Sequence, residues 1–465
     1  MEKYLVLASF WFCLLFALRA SAMELKCPDC NVVFIGFDSL QAKHVSGLSY
    51  RRNTTPTLDA LAKDGVLFTR AYSVASWTVP SFMSFFTSLE PSEHHVVNKF
   101  MVFDNKKQIP SNLHKLSPQV ETMAQAFHNA GYRTGGFTGD AGVGAVFGYD
   151  SGFEKYTDEK TFGSFQRSAD HALKWLRTIG KQKFFLFFHG YDAHGQFSEL
   201  PPNYRSRYLA KDYKGRYQLT PQEQRNLRED GLAYGKVSVT ADEEEAWNAW
   251  YDGKIHDADD KIGEFLAELK KMGLLEKTLI VAVSDHGTEF FEHGRMDHGF
   301  SLYDELLRVP IVIKWPHQTI GKEIPTQIRS IDLLPTIFEI VGLKTNEKWT
   351  KQIHGKSLLP VITGEDRENR PVFSETDYRN YTHKRSLIDL DRWKLIVTME
   401  TGGKELYNLS KDPEEKNNLA TLEAKRVYEM TQILYKQMKD SGQKPLGPWT
   451  IGCLPVYLDQ CRGAM

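Results

Sequence analysis

The side chains able to do chemistry fall at a few separated places. The chain reads Ser76-Trp77-Thr78-Val79-Pro80-Ser81, after which Phe82, Phe85 and Phe86 recur at helical spacing. Proline is favoured near a helix start, where its missing N–H has no partner to lose. A hydroxyl just ahead of such a helix meets free N–H groups and the positive end of the helix dipole. Thr78 is therefore placed to meet a phosphate or sulfate, while Ser76 and Thr78 serve equally well as caps of a buried helix. Further on, His189, Asp192 and His194 lie within six residues, and Asp285-His286-Gly287 is followed by His293 and His298. Imidazole and carboxylate at that density suit a divalent cation.

Buried strands must position most of these groups. Asn31 to Phe37 is continuously apolar, the mark of a strand covered on both faces, and Asp38 follows it. Lys183 to Phe188 ends in His189 in the same way, and Thr278 to Ser284 ends in Asp285-His286. In open α/β sheets, ligands bind beyond the carboxyl ends of the strands. The Asp38 and Asp285-His286 ends are thus expected to converge on one site. Helical periodicity and stop signals mark Thr57 to Gly65, Val120 to Ala130, Ser168 to Ile179 and Asp257 to Met272. Tyr132 to Phe137 adds a strand. Gly139 to Gly152 reads as a glycine-rich loop with no phosphate-binding lysine. The polar and aromatic stretch 200–250 reads as a surface excursion shaping substrate access, with Glu243-Glu244-Glu245 as a solvated face.

With 465 residues the chain has room for two domains, and its net charge of −1 with 25% charged residues is that of an ordinary globular protein. There is no basic excess to suggest nucleic acid as a partner. Lys3, the apolar run from Tyr4 to Leu18 and the small residues Ala20-Ser21-Ala22 predict a signal peptide over residues 1–22. No later stretch is apolar enough to span a bilayer, which points to a secreted or periplasmic protein. Cysteine usage agrees with export. Cys27, Cys30, Cys453 and Cys461 remain after cleavage, and a bridge between the two pairs would tie the chain ends together. Cys27-Pro28-Asp29-Cys30 also fits a redox motif, but it precedes the first strand where such a motif should follow one.

The chain resembles the sulfatase family of the alkaline phosphatase superfamily over nearly its whole mature length. The resemblance is carried by Asn31 to Asp38, Thr54-Thr55-Pro56-Thr57-Leu58-Asp59, Gly65-Val66-Leu67-Phe68, Pro80-Ser81, Gly131-Tyr132-Arg133-Thr134, Ser284-Asp285-His286-Gly287 and Leu307-Arg308-Val309-Pro310. Later matches are Ile331-Asp332-Leu333-Leu334-Pro335-Thr336 and Glu405-Leu406-Tyr407-Asn408-Leu409 with Asp412-Pro413. It implies an α/β/α sandwich with a large, mostly parallel sheet over residues 23–370, and a smaller α+β domain over residues 371–465. Pro371 to Ser374 and Trp393 to Val397 read as strands of the second domain, and Ala424 to Met438 as its helix. The resemblance also implies that Asp38, Asp285 and His286 bind one divalent cation, or two cations form the centre, with Thr78 at the position of the nucleophile. Zinc, manganese and calcium all suit the donor set. His189, His194 and His298 resemble positions that touch the substrate anion or the leaving oxygen, one of them as general acid.

Departures from the family pattern narrow the chemistry. Sulfatases carry Cys, or sometimes Ser, at the position of Thr78 and Arg at that of Phe82, and oxidise the Cys to formylglycine. Threonine cannot give that aldehyde, because its methyl-bearing carbon would become a ketone. The lysine expected after Gly-Tyr-x-Thr is also missing, with Gly139 and Asp140 nearby instead. A directly attacking Thr suffices for phosphoryl transfer, which depends mainly on positioning and electrostatics. The expectation is a metal-dependent hydrolase or transferase of phosphate esters acting on a small-molecule, glycan or lipid-headgroup substrate. A sulfate-ester hydrolase working without formylglycine and a non-enzymatic, glycan-binding descendant are the alternatives.

Overall fold

The computed structural model describes residues 25–97, 115–139, 141–157, 162–195, 199–319, 321–380 and 382–443. The proposed signal peptide, Asp140, Cys453 and Cys461 lie outside them. Five strands form the parallel part of the main sheet: β1 (Asn31–Phe37), β3 (Arg133–Phe137), β4 (Lys155–Thr157), β5 (Phe184–Gly190) and β6 (Thr278–Ser284). With β2 (Val66–Tyr72), β9 (Arg308–Lys314), β10 (Lys322–Ile324) and β11 (Ile328–Arg329) they make a nine-stranded sheet, and only β9 pairs antiparallel to its neighbours. The path runs β10-β2-β9-β6-β1-β5-β3-β4, with β11 beside β2. β1, β5 and β6 are buried along their whole length. Their continuous apolar runs are what a sheet covered on both faces demands.

Two apolar layers cover the sheet. One contains Phe82, Phe85 and Phe86 of α2 (Thr78–Thr87), the helix after α1 (Pro56–Lys63), together with Leu333, Leu334 and Ile337 of a helix over Leu333–Val341. The other contains Trp247, Trp250, Tyr251 and Phe265, packed with Phe165 and Leu176. Helix α2 lies directly on β1. A Cβ at Gly36 would come 2.7 Å from the Phe82 ring, so the helix reaches this depth only over glycine.

The helix expected over Asp257–Met272 begins much earlier, at Ala241, and runs to Lys271. Thr240 and Glu243 form a capping box at its start. Glu243 is buried and pairs with Arg216, while Glu245 pairs with Arg51 and Arg52. The 200–250 region is therefore not a plain excursion. It also holds helices over Pro202–Tyr208 and Pro221–Tyr234 and packs Trp247 and Trp250 against the core. Charged residues on the outer face hid that buried aromatic stripe.

Apart from the small antiparallel pair β7 (Glu289–Phe290) and β8 (Met296–Asp297), a second, four-stranded antiparallel sheet follows: β12 (Val372–Thr376), β13 (Lys384–Ile388), β14 (Trp393–Thr398) and β15 (Gly403–Asn408). Met430, Leu434 and Met438 of the helix Ala424–Asp440 pack on Leu387, Leu395 and Leu406 of this sheet. β12 is knitted to the segment before α2: Glu375 N donates to Val74 O (3.0 Å) and Ser374 Oγ to Ser73 O (2.8 Å). Cys27 and Cys30 form a disulfide with each other, Cα atoms 5.6 Å apart, across a turn in which Cys30 N donates to Cys27 O. Of the three pairings that four cysteines allow, this is the one joining neighbours and not one tying the chain ends together, and Cys453 and Cys461 lie outside the described residues. No helix of the described residues is long and apolar enough to cross a membrane.

Candidate active site

Strand register builds the centre of the site. Parallel pairing sets Phe37 beside Ser284 and Gly36 beside His189. The next residues, Asp38 and Asp285, emerge side by side at the carboxyl edge, one strand spacing apart. The chain then turns sharply at Ser39, a non-glycine residue at φ 61°. This turn aims Ser39 N at Asp285 Oδ1 (3.0 Å), while Ser39 Oγ donates to Asp38 Oδ1 (2.8 Å). Tyr251 of the long helix holds the same turn, accepting from Gln41 N (2.9 Å) and donating to Ser39 O.

Thr78 is the first residue of α2, one position further in than the sequence suggests, and Trp77 is its N-cap. Neither Ser76 nor Thr78 caps the helix through its side chain. The Thr78 hydroxyl instead donates to Asp38 Oδ2 (3.1 Å) and lies 3.4 Å from His286 Nε2. Its methyl side packs against Gly142, where a Cβ would approach within 2.8 Å. The Gly142 N–H in turn donates to the Tyr191 hydroxyl (2.7 Å).

The histidines differ in which nitrogen carries a proton. His286 Nδ1 lies 2.7 Å from Gly287 O, and a carbonyl only accepts, so Nδ1 holds the hydrogen and Nε2 keeps its lone pair. His189 is the reverse. Gly139 N donates to its Nδ1 (3.2 Å), so the proton sits on Nε2, which is buried without a hydrogen-bond partner 3.8 Å from Asp38 Oδ2. His194 Nε2 lies 3.9 Å from Asp38 Oδ1, and the His298 ring is 4.3 Å from that of His286 and 4.8 Å from that of His194. Asp38, Thr78, His189, His194, Asp285, His286 and His298 meet in this one buried basin, whereas His293 pairs with Glu305 instead. Asp192 does not join them, because its carboxylate is taken by Phe165 N (2.6 Å) and Lys261 (2.7 Å).

Electrostatics make the basin receptive to a cation. Burial, then the neighbouring Asp38 charge, push the Asp285 carboxyl well above the usual range, against the pull of the Ser39 and His286 N–H groups. Burial also raises Asp38, but His189, His194 and His286 outweigh it and hold that carboxyl below its ordinary value. The His286 imidazole is pushed well down by burial and then by His298. Asp285 Oδ2 is buried with no hydrogen-bond partner. An orphaned carboxylate oxygen, a second carboxylate and an imidazole lone pair, all within 4.8 Å of one another, fit a divalent cation.

The description "Sulfatase" is that of a family whose pattern matches residues 30–343, more than half of the chain. The chain belongs to the sulfatase family. A second pattern, the carboxyl-terminal part of N-sulphoglucosamine sulphohydrolase, matches residues 291–444. Arylsulfatase K of Xenopus laevis is 24% identical, the alignment covering 90% of this chain and 84% of that protein. Against arylsulfatase K of Mus musculus the aligned stretch is 27% identical and spans 40% of this chain and 34% of that protein. Among solved structures, BT4656 in complex with its substrate D-glucosamine-2-N,6-O-disulfate superposes with a TM-score of 0.67 at 20% identity, covering 90% of this chain and 99% of that one. The phosphonate monoester hydrolase of Agrobacterium radiobacter gives 0.66 at 21% identity, covering 89% and 96%. This sulfatase-family chain therefore has the alkaline-phosphatase-like fold, and its relatives support an ester hydrolase of sulfate or phosphate type.

The sequence reading passed over Asp297, Gly142 and Tyr191. Asp297 carried a visible signal. Asp-His-Gly occurs at residues 285–287 and again at 297–299. Gly142 and Tyr191 had none, because their roles exist only where the loop after β3 folds over Thr78.

Proposed function

We propose that this sulfatase-family protein is an exported, cation-dependent hydrolase of phosphate esters in which Thr78 is the nucleophile. The observation that carries the reading is the Thr78 hydroxyl, which opens a helix N-terminus, 3.1 Å from Asp38 and 3.4 Å from the free lone pair of His286. Asp38, Asp285 and His286 hold the cation, which when bound supplies a lowered hydroxyl pKa and charge neutralisation on the ester. Zinc, manganese and calcium remain the candidates.

Thr78 Oγ1 attacks phosphorus after losing its proton to water, because Asp38, held below its ordinary value by the surrounding histidines, is a poor proton acceptor. The new O–P bond forms as the bond to the leaving oxygen breaks, leaving a phosphothreonine that water then opens. The N–H groups opening α2 face the anion. His189, with its proton fixed on Nε2 by Gly139, acts as a hydrogen-bond donor to an anion oxygen rather than a proton source. His194 and His298 meet the leaving oxygen, and one of them gives it a proton as the bond to phosphorus breaks. The substrate is a small-molecule, glycan or lipid-headgroup ester, and the Tyr378 ring, just after β12, packs 5.3 Å from that of Trp77, the residue before Thr78.

The test is turnover of an aryl phosphate monoester and diester beside an aryl sulfate, each with zinc, manganese and calcium. Expected are phosphoester turnover and a phosphorylated Thr78 peptide in a rapidly quenched reaction. Faster turnover of the sulfate would overturn the phosphoester assignment in favour of a sulfatase acting without formylglycine.

A further inference from the structure

Three guanidinium groups gather on the chain around His298. Arg228, from the helix Pro221–Tyr234, sets Nη1 3.7 Å from Asp297 Oδ2. Asp297, a non-glycine residue at φ 82°, turns its other oxygen back to accept from His298 N (3.0 Å). On the far side of His298 the Tyr378 ring seats on Gly299, where a Cβ would come within 2.5 Å of it. The Arg379 guanidinium covers that same ring, 5.2 Å from its centre. Arg295 completes the group. It donates from Nε to Gly235 O (2.7 Å), and its guanidinium lies 5.7 Å from the centre of the Phe300 ring, which in turn lies 6.2 Å from that of Tyr378.

Glu229 holds two of these cations together. Its Oε1 accepts from Arg228 Nη2 (2.6 Å) and Nε (3.0 Å) and from Arg379 Nη1 (3.3 Å). Two guanidinium groups thus share one carboxylate oxygen, and the carboxylate is the exposed member. Its side chain is 53% exposed, against 10% for Arg228 and 20% for Arg379. An ion pair to a solvent-exposed acid contributes little, so an incoming anion replaces Glu229 at small cost. The arginines are not so free to lose a partner, because a largely buried charge needs an opposite one. Guanidinium forks match the paired oxygens of a carboxylate, sulfate or phosphate. Glu229 therefore marks the place of an anion.

We infer that Arg228 and Arg379 bind a second anionic group of the substrate in place of Glu229, and that this group is carried by the alcohol that leaves. The inference rests on the phosphoester reading of the site, in which His194 and His298 meet the leaving oxygen. Arg228 reaches the basin through Asp297 and Arg379 through Tyr378 on Gly299, the two chain neighbours of His298, so both cations stand on the side of the leaving group. The substrate class is a phosphate ester of an acidic alcohol, its acid being a carboxylate, a sulfate or a second phosphate. Arg295 adds positive potential to the same corner.

The test compares phenyl phosphate with phenyl phosphates whose ring carries a carboxylate, a sulfate or a second phosphate, on the full-length, cation-loaded protein. The best acidic ester should exceed phenyl phosphate about tenfold or more in kcat/KM, chiefly through KM, and the acid preferred identifies the anion. That preference should shrink severalfold in Arg228→Gln and Arg379→Gln, return in part with Arg228→Lys, and grow in Glu229→Gln, where the competing charge is gone. A merely structural role would slow both esters alike and leave the ratio unchanged. Glu229→Gln, at an exposed position, keeps the test open should an arginine variant unfold in thermal melts. Calorimetric binding of the same esters to Thr78→Ala gives a readout that needs no turnover. Equal kcat/KM and equal affinity for acidic and neutral esters, or a ratio unmoved in every folded variant, overturns the inference and leaves the proposed function standing. Tighter binding of acidic esters that the wild type never turns over would do the reverse.

Discussion

Two buried acid–histidine clusters lie a few residues apart and solve the same charge problem differently. In the first, Asp38, Asp285 and His286 surround a hydroxyl at a helix start. In the second, Glu289, His293 and Glu305 also bring ligand atoms within 4.8 Å. There, His293 Nδ1 pairs with Glu305, its Nε2 lies 3.2 Å from Glu415 O, and its ring stacks on Tyr303 at 3.6 Å. Ser301 Oγ donates to Glu289 Oε2 (3.0 Å). Burial, then the Glu305 charge, push the Glu289 carboxyl up to about 8, so it is held as an acid at neutral pH. The first cluster opposes a similar push with backbone N–H groups on Asp285 and histidines around Asp38. Buried acidity alone therefore does not mark the site. What separates the two is a threonine hydroxyl at a helix N-terminus, beside the carboxyl edge of parallel strands.

The sharpest way to break this comparison is to remove the hydroxyl. Thr78→Ala should lower phosphoester turnover roughly a thousandfold or more while leaving the melting temperature close to wild type. A smaller loss would show that the first cluster works without its nucleophile. Asp285→Asn should abolish cation-dependent stabilisation. Wild type should gain about 2.7 kcal/mol at a cation concentration a hundred times the Kd, and the variant close to nothing, in paired denaturations with and without chelator.

Gly142→Ala probes positioning. Its Cβ would meet the Thr78 methyl at 2.8 Å, and a displaced nucleophile should cost about a hundredfold in kcat with fold and cation content retained. Equal kcat would mean the loop after β3 yields instead of Thr78. The smallest effect belongs to the second cluster. Because the folded state raises the Glu289 carboxyl from 4.5 to about 8, it keeps a proton that the unfolded chain releases. Stability should fall as pH rises through that window, and Glu289→Gln should flatten the fall in thermal melts without touching turnover. An unchanged pH slope would show that Glu289 ionises freely in the fold.

Much of the site was legible because buried parallel strands write themselves as unbroken apolar runs. Asn31–Phe37 and Thr278–Ser284 end where the runs end, and a polar residue immediately after such a run has few places to go but the carboxyl edge. The helix Ala241–Lys271 was less legible. Its first half mixes acids with tryptophans, and only packing of Trp247, Trp250 and Tyr251 reveals which face is inside. Asp297 was legible as the start of a second Asp-His-Gly, but nothing local says that a left-handed turn brings its carboxylate near His194, far back in the chain.

The sequence by itself determined which side chains stand at the strand ends, that Thr78 opens a helix, and that no formylglycine can form there. Those are local facts, set by side-chain chemistry and by the periods of strand and helix. The tertiary structure decided their distances. Register between β1, β5 and β6 put Asp38 level with Asp285 and close to His189, and the Ser39 turn, held by Tyr251 from a helix some two hundred residues away, joined the two carboxylates. Proton placement followed the same rule. Gly139 and Gly287 fixed opposite tautomers on His189 and His286, because a hydrogen bond is directional and its partner arrives only when the chain has folded.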